Sequence, residues 1–267
     1  YQTTAPSLGD QYAKAVGKET TEGIFYAVSH SKEAKTPGNE EFVAKYQEMF
    51  GGTEVLEDAA DAYATAQVLQ AAVKGVGTIE RQRQLELAER AGARCCVNIS
   101  GSRGTQWDGP AAENFTEETF EMIVETTRGI IDDVQPTRTW FTLETMPWAY
   151  PDSADSYVRL IRAIDRDRFA AHLDPTNLVC SPQRYYANGK LIAECFEKLG
   201  PYIKSCHAKD IYLHPKLMTH LDEVRPGQGE LDYATFLREL NKLPGVPLML
   251  EHLPNAEEYR QAAEHIR

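Results

Sequence analysis

The chain has 267 residues, of which 42% are hydrophobic, and its formal net charge is −12. This length and apolar content allow a substantial buried core and fit one large α/β domain or two small ones. The acidic balance argues against a nucleic-acid partner, because binding phosphates needs a concentrated excess of Lys and Arg. The sequence has neither an apolar run of the roughly 18 to 20 residues that span a bilayer nor an opening signal peptide, so no membrane partner is expected.

The five cysteines form an odd set without C-x-x-C spacing, and most lie in apolar runs or on predicted helix faces. Buried, reduced thiols are therefore expected, which favours a reducing compartment and a cytoplasmic location. The sequence lacks an initial Met and stops within the helical pattern of residues 256–267. We therefore expect a fragment whose targeting signals are missing.

The first 80 residues differ from the rest in their pattern of predicted strands and helices. Their patterns predict one strand, Gly23–Ser29, and three helices, Asp10–Val16, Glu40–Phe50 and Glu57–Lys74. Three consecutive βα units are not visible in this part of the sequence. An eight-stranded barrel is therefore expected to be incomplete, and we predict two parts, residues 1–80 and residues 81–267.

From Thr139 onward, strand and helix alternate regularly, and further elements are predicted upstream of this point. A helix over Gln84–Ala91 leads into a strand over Arg94–Ile99, and Asn114 with Glu117 is predicted to open the next helix. Four later apolar runs predict buried strands: Thr139–Leu143, Arg168–Leu173, Tyr202–Cys206 and Val246–Leu250. Asp152 and Ser153 can cap the helix between the first two of these runs. The pattern predicts an α/β protein with about five βα units.

An acidic residue or a histidine ends or directly follows each of these four strands. We call these residues the quartet: Glu144, Asp174, His207 and Glu251. They are spaced 30, 33 and 44 residues apart, and one βα unit of a barrel takes about 30. Because the carboxyl ends of parallel strands meet at one face, the four side chains are expected to share a pocket. Three carboxylates and one imidazole suit Mn²⁺, Mg²⁺ or Zn²⁺.

Strand alternation adds two candidates for substrate binding. Lys209 lies two residues after His207 and is expected on the same side, where its amine suits a substrate oxygen or phosphate. His172 shares the side of Asp174, one layer deeper. By the same alternation, His252 is expected to point away from Glu251 into the helix layer.

Residues 82–267 resemble the sugar phosphate isomerase/epimerase family, whose members form a xylose isomerase-like TIM barrel. The matching pieces are Leu143-Glu144, His172-Leu173-Asp174-Pro175, Cys206-His207-Ala208-Lys209-Asp210, the run Arg225-Pro226-Gly227-Gln228-Gly229-Glu230-Leu231-Asp232, and Leu250-Glu251. The resemblance implies that the quartet binds one divalent ion and that Arg225 contacts substrate. It also implies, through the ketose 3-epimerases, that Glu144 and Glu251 exchange protons on opposite substrate faces.

The function implied is that of an isomerase or epimerase of a small sugar or sugar phosphate. A dehydratase of an inositol-derived ketone, with the same fold and metal set, is the second alternative. An endonuclease of the superfamily is disfavoured, because its three-zinc site needs further histidines where this chain has Asn177 and Val224. Relatives often associate, so the resemblance also implies a homo-oligomer without indicating the partner surface.

Residues 1–80 resemble the later part of periplasmic substrate-binding proteins of the branched-chain amino-acid type. The similar stretches are residues 23–30, 37–46 and 58–63. The resemblance implies periplasmic ancestry for this part and a third functional alternative, a solute-binding fragment or an inactive chimera. The joint near residues 77–83 is compatible with a natural fusion, an engineered chimera or a sequence assembly error.

Overall fold

The computed structural model describes residues 31–52, 55, 59–60, 63–64 and 81–267. The chain divides into two compact units, residues 1–78 and residues 79–267. Within the described ranges, no helix combines the length and the apolarity that crossing a membrane requires.

In the first unit, helix α1 spans Asn39–Met49. The helix begins after Gly38, whose φ of 84° lies in the left-handed region that favours glycine. The ring of Phe42 stacks on Tyr63 with a centroid distance of 4.5 Å. The predicted helix Glu40–Phe50 is confirmed to within one residue at each end. The predictions for residues 10–16 and 23–29, and most of that for residues 57–74, fall outside the described residues.

The second unit alternates helices and strands. Its α-helices are α2 (Arg81–Ala91), α3 (Glu117–Val134), α4 (Ala154–Ile164), α5 (Pro182–Tyr186), α6 (Asn188–Leu199), α7 (Tyr233–Leu240) and α8 (Ala256–Ile266). Its strands are β1 (Cys95–Asn98), β2 (Trp140–Glu144), β3 (Phe169–Leu173), β4 (Ile203–Ala208), β5 (Asp210–Leu213), β6 (Leu221–Val224) and β7 (Leu248–Leu250).

Five of these strands form one parallel sheet in the order β1-β2-β3-β4-β7, which is half of a barrel. The α/β class and the five predicted βα units are confirmed. Strands β5 and β6 form a separate antiparallel pair, which the sequence pattern did not indicate. Strand β5 follows β4 after a single residue, so no turn signal separates the two strands in the sequence.

Strand β7 is shorter and more exposed than the predicted buried strand Val246–Leu250. It pairs with β4 and ends the sheet order, so one of its sides has no partner strand among the described residues. Met249 is 36% exposed as a result. Strand β3, which lies between two neighbours, is buried along its whole length. Position in the sheet, rather than composition, therefore decides the burial of these two runs.

Helix caps fix the approach of two helices to the sheet. Ser153 caps α4 in a reciprocal arrangement with Ser156, as the sequence predicted. The predicted role of Asn114 at the start of α3 is wrong, because Thr116 is the capping residue. The buried Asn114 side chain instead donates to the carbonyl of Trp148 at 2.9 Å.

The hydroxyl of Tyr157, on α4, joins β2 to β3 just below the ends that carry the quartet. It accepts hydrogen bonds from the backbone N–H groups of Leu143 at 3.1 Å and His172 at 3.2 Å. Its proton is donated to the carbonyl of Leu143 or of Ala170. The side chain is fully buried, so water does not compete for these groups. Tyr157 therefore sets the spacing of the strands that present Glu144 and Asp174.

We expect Tyr157→Phe to lower the free energy of unfolding by about 1–3 kcal/mol, because buried N–H groups lose their acceptor. Urea denaturation followed by circular dichroism measures this change. Tyr186→Phe is the matched control, since Tyr186 is 76% exposed and should tolerate the loss of its hydroxyl. Equal stability of both variants would show that the Tyr157 hydroxyl does not hold the strands.

The carboxylate of Glu89 joins α2 to the segment that enters β2. It accepts hydrogen bonds from the backbone N–H groups of Thr137, Arg138 and Thr139 at 3.0, 3.1 and 2.8 Å. The Thr137 hydroxyl adds a fourth at 2.6 Å. The hydrogen bond from this hydroxyl and those from the backbone hold the pKa of Glu89 far below its usual range.

Glu89→Ala should lower the urea midpoint at neutral pH. Folding favours the ionised carboxylate of Glu89. Its contribution to the free energy of unfolding is therefore present above the pKa of the unfolded chain, about 4.3, and is lost as the pH falls through the lower pKa of the folded state. The difference in urea midpoint between the wild type and the variant should therefore become smaller below about pH 4. Glu86→Ala, which removes an exposed ion pair with Arg83 on the same helix, should have little effect at any pH. A gap that widens in acid would contradict this reasoning.

Candidate metal centre

The ends of four parallel strands bring the quartet together. Glu144 ends β2, Asp174 follows β3, His207 lies in β4 and Glu251 follows β7. One ligand atom from each of the four residues lies within 4.8 Å of the others. The predicted convergence of these side chains is thus observed.

The imidazole of His207 lies among the three carboxylates. Its Nδ1 is 3.2 Å from Glu144 Oε1, 3.6 Å from Asp174 Oδ2 and 2.9 Å from Glu251 Oε2. Asp174 is fully buried, and the side chain of Glu144 is only 12% exposed. Three carboxylates therefore face one small space, and two of them, Glu144 and Asp174, have little access to water, whereas the side chain of Glu251 is 29% exposed.

The amine of Lys209 reaches the same space, on the side of β4 that alternation predicted. Its Nζ lies 2.9 Å from Asp174 Oδ2, 2.8 Å from Glu251 Oε2 and 3.5 Å from Glu144 Oε1. The side chain is 3% exposed, so its charge is neutralised by these carboxylates rather than by solvent.

These contacts shift the pKa values of the centre in consistent directions. Burial alone would raise the pKa of Asp174 and Glu251, but the close contacts of His207 and Lys209 with these carboxylates outweigh it. The pKa of Glu251 falls to about 2, and that of Asp174 also lies below its usual range. Burial would lower the pKa of His207, but its three acidic neighbours raise it to about 11. Without an ion, two positive groups thus face three negative ones.

A turn after β3 orients two of the carboxylates. Asp174 Oδ1 accepts hydrogen bonds from the backbone N–H groups of Thr176 at 3.0 Å and Asn177 at 3.2 Å. The Asn177 amide then donates to Glu144 Oε1 at 3.0 Å. In the sequence, Asn177 stands where the three-zinc site of the endonucleases would need a histidine, and no other role was predicted for it. The Asp-Pro-Thr-Asn run is a turn signal that points to this role, because Asp side chains commonly accept from N–H groups two residues on.

His172 lies behind the quartet, one layer deeper, as predicted. Its ring meets that of His207 edge to face with centroids 4.1 Å apart, and its Nδ1 is 2.7 Å from Ser205 Oγ. Burial and the nearby His207 lower the pKa of His172 to about 3. Its Nε2 is buried and has no hydrogen-bond partner among the described residues.

Arg225 follows β6 and lies apart from the contacts of the quartet. Its Nε is 2.8 Å from Glu258 Oε2 on α8, and within the described ranges it forms no ion pair with a quartet member. The neighbouring loop is held by the buried Asp210, whose Oδ2 accepts from the N–H groups of Gly227 at 2.9 Å and Gly229 at 3.0 Å. Asp210 therefore fixes the loop that carries Arg225.

The prediction that His252 points into the helix layer is wrong. Strand β7 ends at Leu250, so strand alternation no longer applies, and His252 has a left-handed φ of 57°. Its Nδ1 lies 3.0 Å from Glu223 Oε1, and its Nε2 lies 3.4 Å from Glu251 Oε1. His252 therefore lies at the exposed edge of the centre.

The quartet fits a divalent cation by two observations. Its donor set of three carboxylates and one imidazole suits Mn²⁺, Mg²⁺ or Zn²⁺. Asp174 Oδ2 and Glu251 Oε2 are also buried without a hydrogen bond of good geometry among the described residues. The ammonium of Lys209 faces both oxygens at 2.9 and 2.8 Å, and a divalent ion would balance their charge more completely. The quartet is thus a candidate metal centre.

Three solved structures illustrate the likeness of fold. A xylose isomerase domain protein from Planctomyces limnophilus has a TM-score of 0.52 at 20% identity, over 72% of this chain and 63% of that chain. A xylose isomerase-like TIM barrel protein from Mycobacterium smegmatis, in complex with magnesium, has a TM-score of 0.53 at 17% identity, over 70% and 65%. The 3-keto-D-glucoside 4-epimerase YcjR from E. coli has a TM-score of 0.50 at 15% identity, over 70% and 68%.

The chain spans less than two thirds of the length of the first two of these proteins. No curated protein matches the sequence. A periplasmic binding protein profile matches residues 1–126, which confirms the resemblance of the first part. A xylose isomerase-like TIM barrel profile matches residues 79–267, and the two matches overlap over residues 79–126. By the larger match, the chain belongs to the xylose isomerase-like TIM barrel family.

Proposed function

We propose that this chain is a metal-dependent isomerase or epimerase of a small sugar or sugar phosphate. The observation that carries the proposal is the convergence of the quartet, whose ligand atoms lie within 4.8 Å of one another at the strand ends. Active sites of TIM barrels are built at this end of the strands. Family membership supports a sugar-like substrate.

The quartet would hold one divalent ion, with Mn²⁺, Mg²⁺ and Zn²⁺ as candidates. Such an ion supplies Lewis-acid stabilisation of the negative charge that develops on substrate oxygens. The Asn177 amide and the N–H groups of the turn after β3 fix the carboxylates of Glu144 and Asp174 beforehand. This preorganisation lowers the cost of assembling like charges in one place.

Glu144 and Glu251 are the proposed base and acid. They come from β2 and from the end of β7, with β3 and β4 between them in the sheet, so they approach the centre from different strands. A substrate carbon between them would lose a proton to one carboxylate and receive a proton from the other on the opposite face. The result is inversion at the carbon next to a carbonyl, or isomerisation if the proton returns to the neighbouring carbon.

Lys209 is the proposed anchor for a substrate oxygen. Its buried amine already contacts carboxylates of the quartet, and an ion bound there would compete for those oxygens. The amine would then be available to donate to a substrate hydroxyl or phosphate. His172 and Arg225 remain proposals for substrate contact. His172 would act from behind His207, and Arg225 would first have to leave Glu258.

Replacing one ligand should weaken metal binding strongly. We expect Glu251→Gln to reduce Mn²⁺ affinity by roughly 100-fold or more, because even loss of a residue that only orients a ligand typically costs 10- to 100-fold. Isothermal titration calorimetry on the full chain measures this. Glu197→Gln, an exposed position on α6, is the matched control and should bind like the wild type. Equal affinity of the two variants would remove Glu251 from the metal centre.

Proton exchange tests the catalytic proposal directly. In D₂O with Mn²⁺, the wild type should exchange the proton next to the carbonyl of a ketohexose or ketopentose and form the epimer, as seen by proton NMR. We expect Glu144→Gln to lower the rate of this exchange by about 100-fold or more, which is within the usual contribution of a general base. Glu197→Gln should exchange normally.

Two outcomes of the exchange experiment would overturn the epimerase proposal. Loss of water from the product would identify a dehydratase, the alternative that shares fold and metal set. Absence of exchange with any ketose, while an ion is bound at the quartet, would show a metal site without this chemistry.

A further inference from the structure

A pocket lies near the end of β1, next to α3. Its volume is about 330 Å³. Arg81, Arg103 and Ser100 contribute to its lining, and Ile123 and Leu143 are among its apolar residues. No member of the quartet and no Asp or Glu lines it. In a chain with a net charge of −12, a pocket with two arginines and no carboxylate is unusual.

Arg81 is the main feature of this pocket. It is partly buried, and burial lowers the pKa of its guanidinium. Its Nη2 donates to the carbonyl of Ser100 at 3.2 Å. Within the described ranges, no carboxylate lies at ion-pair distance from this guanidinium, whereas eight of the sixteen arginines of the second unit have such a partner. A partly buried cation without an anion is costly, and a bound anion would offset the cost.

The loop after β1 is built closely around the Arg81 guanidinium. Gly101 has a φ of 90°, and a Cβ at this position would lie 3.2 Å from Arg81 Nη2. The adjacent Ser100 Oγ is buried and has no hydrogen-bond partner among the described residues. A buried hydroxyl normally bonds to protein, water or ligand. Ser100 thus offers an unused donor next to a guanidinium that has no carboxylate partner among the described residues.

Arg103 adds a second positive group to the lining. Its Nη1 donates to Thr119 Oγ1 at 3.3 Å and lies 3.7 Å from Glu118, whose side chain is 77% exposed. An exposed partner at this distance neutralises the charge only weakly, because solvent and salt screen it.

We propose that this pocket binds a small oxyanion group, a phosphate or a carboxylate, with Arg81 as its principal contact. The fork of the guanidinium matches two oxygens of either group. The Ser100 hydroxyl would donate to a third oxygen of a phosphate, or to one of the two oxygens of a carboxylate. The apolar lining near Ile123 and Leu143 would accommodate the carbon atoms of an organic anion. No quartet residue lines the pocket, so the proposal does not rest on the proposed sugar chemistry.

The test is calorimetric titration of the metal-free full chain with inorganic phosphate and, separately, with acetate at constant ionic strength. Removal of metal with a chelator prevents either anion from binding an ion at the quartet. We expect saturable binding of at least one anion, and Arg81→Gln should weaken it about tenfold or more, as charge-assisted hydrogen bonds are lost. Ser100→Ala should weaken it by about two- to fivefold.

Arg90→Gln is the matched control, because it removes the same charge from an exposed position of the same helix. Its affinity should equal that of the wild type. Arg81→Lys keeps the positive charge but lacks the two-pronged guanidinium. This variant should fold, and its affinity for the anion should be at least threefold lower than that of the wild type. Circular dichroism verifies folding of each variant.

Binding of phosphate, of acetate or of both identifies the preferred group and supports the proposal. Absence of saturable binding by both anions would overturn it. Equal affinities of the wild type, Arg81→Lys and Arg81→Gln would also overturn it, as would equal weakening by Arg90→Gln.

Discussion

The structure of the centre depends on holding three carboxylates in one small, largely buried space. At the separations found among Glu144, Asp174 and Glu251, all below 4.8 Å between ligand atoms, each like-charged pair repels by on the order of 4 kcal/mol at an effective dielectric of 20. The amine of Lys209 and the imidazole of His207 offset this repulsion, with contacts of 2.8 to 3.6 Å. A divalent cation would do so more completely, because it places two charges at the common point.

The fold supplies the rigidity that this arrangement needs. Parallel strands place the quartet at one edge of the sheet, and the buried Tyr157 hydroxyl joins the two strands that carry Glu144 and Asp174. The turn after β3 adds N–H groups and the Asn177 amide that orient the carboxylates. The half-barrel therefore retains the backbone features that determine where the ligands point, although its strands β1 and β7 end the sheet order.

Much of this centre can be predicted from the sequence, because strand ends converge by topology and not by side-chain detail. The quartet and the side of Lys209 follow from strand order and alternation alone. The contact of Asn177 with Glu144 does not, since it depends on the shape of a four-residue turn. Alternation failed at His252 because the strand ends two residues earlier. The β5–β6 pair was missed because β5 follows β4 after one residue, so no turn signal separates them.

The central claim is that the quartet forms one site for a divalent ion. Anomalous diffraction from crystals of the full chain grown with Mn²⁺, measured at the manganese absorption edge, tests it most directly. We expect one strong peak within about 2.0 to 2.6 Å of a ligand atom from each of Glu144, Asp174, His207 and Glu251. A peak elsewhere in the molecule, or none at saturating Mn²⁺, would contradict the claim.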